Sequence, residues 1–99
     1  MTNEEMRKEV VDFIESEYVH DAPHIMLADG HERAFCGVAA GKGIEPRACY
    51  DYERIITDLA DDNEWSEEEA EEWFYFNIAD AYVGPNTPLF LKRFDNFVG

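Results

Sequence analysis

WSEEEAEEWFYFNIADAY, residues 65–82, is the stretch on which the fold turns. Ser66 and Glu69, three positions apart, are the two halves of a helix capping box, and Trp65 ahead of them can staple onto Ala70. Downstream, Ala70, Trp73, Phe74, Ile78 and Ala81 recur at three- and four-residue spacing, which predicts the buried face of a helix. The opposite face carries Glu68, Glu71, Glu72 and Tyr75. One helix therefore supplies both a large apolar anchor and the densest charge.

On its N-terminal side, Asp61-Asp62-Asn63-Glu64 reads as a connection. Before that, Asp51 is placed to cap a helix running to about Ala60, with Tyr52, Ile55, Ile56 and Leu59 inward. On its C-terminal side, the breaker-rich Gly84-Pro85-Asn86-Thr87-Pro88 puts Gly84 at the end of the helix. The segment LFLKRF, residues 89–94, then predicts a short edge strand. At the start of the chain, Thr2 or Asn3 can cap a first helix whose apolar stripe is Met6, Val10, Phe13, Ile14 and Tyr18, and which Pro23 forbids from continuing. Between these helices, Asp29-Gly30 predicts a hairpin over residues 24–39, and residues 47–50 can add a short strand. The expected architecture is α+β: one domain, residues 1–99, with three helices packed on a small, mainly antiparallel sheet made of the 24–39 hairpin and the 89–94 strand.

Composition narrows the functional classes. Hydrophobic residues make up 45% of the 99 positions and 14 side chains are aromatic, enough to expect a folded domain despite the charge. No apolar run approaches the ~18 residues of a membrane span, and the acidic N-terminus is no signal peptide, so the expected location is cytoplasmic. In that compartment Cys36 and Cys49 are expected as free, small buried side chains. The balance of 23 acidic against 8 basic residues gives a net charge of −15. Nucleic acid and anionic membranes would repel such a chain, whereas a basic protein surface would attract it. Solubility, or adaptation to high salt, would produce the same balance.

Residues 58–72 hold nine carboxylates and no basic side chain. If wholly helical, that stretch would place one charge per ~2.5 Å of axis, against one per ~1.7 Å in duplex DNA. The helix dipole accounts for Glu67, Glu68 and Glu69. Like-charge pairs at Glu67/Glu71 and Glu68/Glu72 work against the helix, and an interspersed lysine that would relieve them is missing. A calcium loop fails because Asn63 stands where its central glycine belongs. His20, His24, His31 and Cys36 match no compact zinc spacing. Gly41-Lys42-Gly43 precedes no helix and so is no phosphate cradle. Ser16 and Ser66 lack the context of a nucleophile, and nothing visible activates Cys36. No cofactor, metal or catalytic residue is therefore expected. Asn77 falls within the predicted apolar face, where a buried amide needs partners, and Tyr75 stands among the outward glutamates.

Three segments carry a resemblance: ACYDYERII (48–56), EEAEEWFYFNI (68–78) and AYVGPNTPLF (81–90). Together they resemble a family of small proteins common in bacteriophage genomes, over roughly residues 25–91. That family has no assigned activity, so the resemblance implies an origin: a phage or prophage protein acting in a host cytoplasm. Combined with the charge, it leads to the expectation of a non-enzymatic inhibitor that docks on a basic host protein, in the manner of anti-restriction or anti-CRISPR proteins. The expected contact residues are Asp61, Asp62, Glu64, Glu68, Glu71, Glu72 and Tyr75. The competing expectation is a structural or adaptor module, monomer or homodimer, that pairs through its apolar strands.

Overall fold

The computed structural model describes residues 2–79 and 84–96. Helix α1 (Asn3–Glu17) opens on a complete capping box between Thr2 and Glu5 and buries Val10 and Ile14. Strands β1 (Phe35–Gly41) and β2 (Ile44–Asp51) form an antiparallel hairpin. Helix α2 (Tyr52–Asn63) follows without a break, its first turn capped by the Asp51 carboxylate, which accepts from the Arg54 N–H at 3.2 Å. Helix α3 (Glu67–Phe74) widens into a π-helical turn, Tyr75–Ala79. Strand β3 (Leu89–Leu91) returns parallel to β2, giving a mixed sheet ordered β1-β2-β3. The two helices between β2 and β3 are the crossover that a parallel pairing requires. The fold is α+β, with three helices and a three-stranded sheet.

The expected hairpin over residues 24–39 is not formed; the hairpin lies at 35–51, turning at Lys42-Gly43. Gly43 has φ +82, a conformation glycine adopts without penalty in a two-residue turn. Segment 24–34 instead carries a short 3-10 turn at each end. Several of its backbone donors close these turns on backbone carbonyls, and two are met by side chains. The Ala28 N–H donates to the Tyr50 hydroxyl at 2.8 Å, and the Gly30 N–H to Glu32 Oε1 at 3.2 Å. With those groups satisfied, the segment needs no ladder partner. Arg7 of α1 pairs with Asp29 and reaches Glu32 at 3.6 Å, fastening the segment to the first helix. The last strand is also shorter than expected, since residues 94–96 leave the sheet as a 3-10 turn.

The core is one chain of aromatic contacts joining sheet to helices. Phe35 meets Phe13 and Tyr50; Tyr50 meets Phe90; and Phe90 meets Phe74 edge-on at 5.0 Å. Of these rings Tyr50 and Phe74 are fully buried, as is Ile55. Edge-to-face geometry suits the ring quadrupoles and adds to the burial of apolar area.

Candidate functional site

The acidic run is a corner, and not the single helix on which a continuous line of charge would depend. Asp61 and Asp62 occupy the last turn of α2, which runs three residues beyond the expected end at Ala60. Glu64 then turns the chain in a left-handed conformation, φ 57, and the Trp65 N–H closes the helix on the Ala60 carbonyl at 2.9 Å. That bond is the six-to-one closure of a Schellman end, in which glycine normally takes the position held here by Glu64. Ser66 then caps α3, its hydroxyl accepting from the Glu69 N–H and its own N–H donating to the Glu69 carboxylate, both at 3.2 Å.

Three of these choices oppose the helices they sit on. The C-terminal turn of a helix carries partial negative charge, so Asp61 and Asp62 lie at its unfavourable end. A glutamate in the left-handed region costs more than a glycine there. No basic residue stands in the last turn of α2 or of α3. Among the described residues, Asp58 has its ion pair with Arg54 at 3.0 Å, while Asp61, Asp62, Glu64, Glu67, Glu68, Glu71 and Glu72 have no ion-pair partner.

Of the expected contact residues, the structure brings Glu68, Glu71, Glu72 and Tyr75 together around one open groove, with Phe76 as a fifth side. Asp61, Asp62 and Glu64 are exposed on the preceding corner and do not line it. Glu71 is half-buried, whereas Glu68 and Glu72 are exposed. Tyr75 is 43% exposed, as its place among the glutamates implied. Phe76, which the sequence reading did not single out, is 89% exposed. The same 100°-per-residue wheel that sorted the other side chains puts Phe76 beside Glu72, so its exposure was legible.

Two expectations for α3 are corrected. Trp73, expected in the core, is 39% exposed and stacks on Trp65 at 6.1 Å. Asn77 is exposed, and its amide donates to the Trp73 carbonyl at 3.0 Å. Trp73 precedes the π turn and sits at the edge of the arc centred on Ala70 and Phe74. From Tyr75 on, the wider winding of the π turn delays each residue relative to the wheel, so Asn77 swings outward and Ile78 remains half-buried. Ala81 and Tyr82, expected to end this helix, lie outside the described residues. A second groove is lined by Trp65, Glu69, Glu72, Trp73, Phe76 and Asn77. Acidic and aromatic side chains thus alternate across this end of the molecule.

Tyr75 also faces the opposite way. Its ring lies 6.0 Å from that of Tyr52, and Lys92 Nζ stands 4.7 Å above Tyr52 and 5.9 Å from Tyr75. The neighbouring Tyr52 hydroxyl, and then the Lys92 ammonium, lower the Tyr75 phenol below its ordinary pKa. Burial raises that of Tyr52, whose hydroxyl has no partner in hydrogen-bonding geometry.

The remaining candidates do not converge. Among the described residues no group of three or more His, Cys, Asp or Glu is placed to hold a metal ion. Cys36 lies in the bulge of β1 and donates to the Cys49 carbonyl at 3.2 Å; both thiols are free, but neither is buried as expected, since the bulge turns Cys36 out to solvent and Cys49 is half-buried. Desolvation, with Cys49 beside it, pushes the Cys36 thiol up to about 11, which leaves little thiolate at neutral pH. No described helix is long and apolar enough to cross a membrane. Comparison with protein-family models, with curated proteins and with solved structures gave no match.

Proposed function

We propose that this chain is a phage-type acidic protein, without enzymatic activity, that binds and inhibits or modulates a host protein through the α2–α3 corner and the groove beside it. The observation that carries the reading is the end of α2. Asp61, Asp62 and Glu64 are placed where each opposes local stability. A chain acidic merely for solubility gains nothing from those positions, because a carboxylate at a helix start dissolves the protein equally well. Local rules broken without a local gain are a mark of functional surface. Phe76 and Tyr75 add the aromatic contacts in which interfaces are enriched.

The partner surface that fits is basic, of the kind that otherwise holds nucleic acid. Since the acidic run bends at Glu64, it matches charge with charge and does not copy the spacing of a phosphate backbone. Affinity capture from a bacterial lysate tests the reading, at low and high salt, with the wild type and with the Glu68→Gln/Glu71→Gln/Glu72→Gln variant. A discrete partner retained by the wild type at low salt, and released by salt and by the variant, is the expected result. The adaptor reading draws on exposed apolar residues of the sheet, Ile44 and Leu91. It predicts instead a salt-insensitive homodimer by light scattering, indifferent to the glutamates.

A further inference from the structure

A cleft of about 380 Å³ opens between the π turn and the β2–β3 end of the sheet, on the other side of Tyr75. Tyr52, Phe74, Phe90 and Pro88 wall it, and Arg47 and Lys92 bring it two positive charges. In a chain with 8 basic residues against 23 acidic ones, that placement is uncommon. Three arginines are committed, Arg7 to Asp29, Arg54 to Asp58 and Arg93 to Asp95, while Arg33, outside the cleft lining, has no ion pair among the described residues. Neither Arg47 nor Lys92 forms an ion pair among the described residues.

We infer that this cleft is a binding site for a small aromatic carboxylate, its ring against the aromatic wall and its carboxylate on Arg47 and Lys92. The wall is rigid: Phe74 locks edge-on against Tyr52 at 5.1 Å and against Phe90 at 5.0 Å. Arg47 is held in position, since its Nε donates to the Pro85 carbonyl at 2.8 Å. The two Nη groups make no hydrogen bond among the described residues, and together they present the parallel donors that match a carboxylate. Lys92 is a point charge over the Tyr52 ring. The volume lies within the range of small-molecule sites, which are mostly apolar with a few placed polar groups. The chain's net charge opposes any anion at a distance, but ~0.15 M salt screens that field over ~8 Å. At contact range Arg47 and Lys92 draw the carboxylate in, against the opposing charges of Glu53 and Glu71 near Lys92. This inference does not depend on the acidic corner binding a protein.

An NMR titration of the full chain tests it with three probes: 2-naphthoate, its neutral counterpart 2-naphthamide, and inorganic phosphate. Saturable shifts of the Tyr52, Phe74 and Phe90 ring signals are expected with 2-naphthoate. The amide should bind at least ~10-fold more weakly, having lost charge-assisted hydrogen bonds, and phosphate alone should leave the rings unmoved. Lys92→Met, an exposed change that leaves the core intact, and Arg47→Lys, which keeps the charge and removes the fork, should each weaken 2-naphthoate at least ~10-fold. Binding of the amide as tightly as the carboxylate, unchanged affinity in both variants, or unmoved ring signals with 2-naphthoate would overturn the inference.

Discussion

Two adjacent tyrosines show how far a single atom's surroundings decide its worth. Tyr50 and Tyr52 are 1% and 5% exposed. The Tyr50 hydroxyl accepts the Ala28 N–H at 2.8 Å, whereas the Tyr52 hydroxyl, close to Tyr75 and Glu71, has no partner in hydrogen-bonding geometry. Removing the first strands a backbone donor, so Tyr50→Phe should cost ~1–3 kcal/mol. Removing the second relieves an unmet group, so Tyr52→Phe should leave stability unchanged or raise it by up to ~1 kcal/mol. Urea midpoints of the two variants check this. His31 gives a second test at this scale. Burial lowers its pKa below 6.5, against the opposing pull of Glu32 and Asp58. The unfolded chain therefore binds a proton before the folded one does, and stability falls as pH drops below about 6.5. In His31→Gln, thermal melts between pH 7.5 and pH 5.5 should show a smaller fall.

At the scale of elements, what the sequence made legible were the features encoded within a few residues. The capping box at Ser66–Glu69 and the Asp51 cap stand where spacing placed them; of the expected α1 stripe, Val10 and Ile14 are buried, while Phe13 is 42% exposed and Tyr18 caps the helix. The hairpin did not, because its decisive bonds are distant in sequence. Asp29-Gly30 is a strong local turn signal, yet Tyr50 and Arg7 hold the surrounding segment against the body of the protein. The true first strand, FCGVAAG, is rich in the glycine and alanine that strands disfavour. The π turn left no signal in spacing, and with it went the placement of Asn77. In the acidic site, Glu68, Glu71, Glu72 and Tyr75 were legible from the wheel. The left-handed Glu64 was not, since nothing in DDNEW marks where the helix ends. That residue yields the prediction belonging to this scale. Glu64→Gly should raise stability by ~0.5–1 kcal/mol, because glycine meets the conformation without strain. The same change should weaken partner capture. A melting temperature that falls would contradict the account of this corner.

For the whole molecule, charge is divided between two unlike sites joined at Tyr75. One side gathers carboxylates and exposed aromatics around an open groove; the other holds Arg47 and Lys92 against an aromatic wall. With a net charge of −15, repulsion within the folded chain is relieved by salt, so stability and partner binding should respond to salt in opposite directions. Added salt should raise the melting temperature while it releases the partner.

The most direct measurement is the affinity for the captured partner, followed across salt concentration, for the wild type and for Glu68→Gln/Glu71→Gln/Glu72→Gln. Wild-type affinity should fall at least ~10-fold between ~50 mM and ~500 mM salt, and the variant should bind more weakly with a flatter slope. A variant that binds as tightly as the wild type, with the same slope, would show that the acidic corner is not the binding surface.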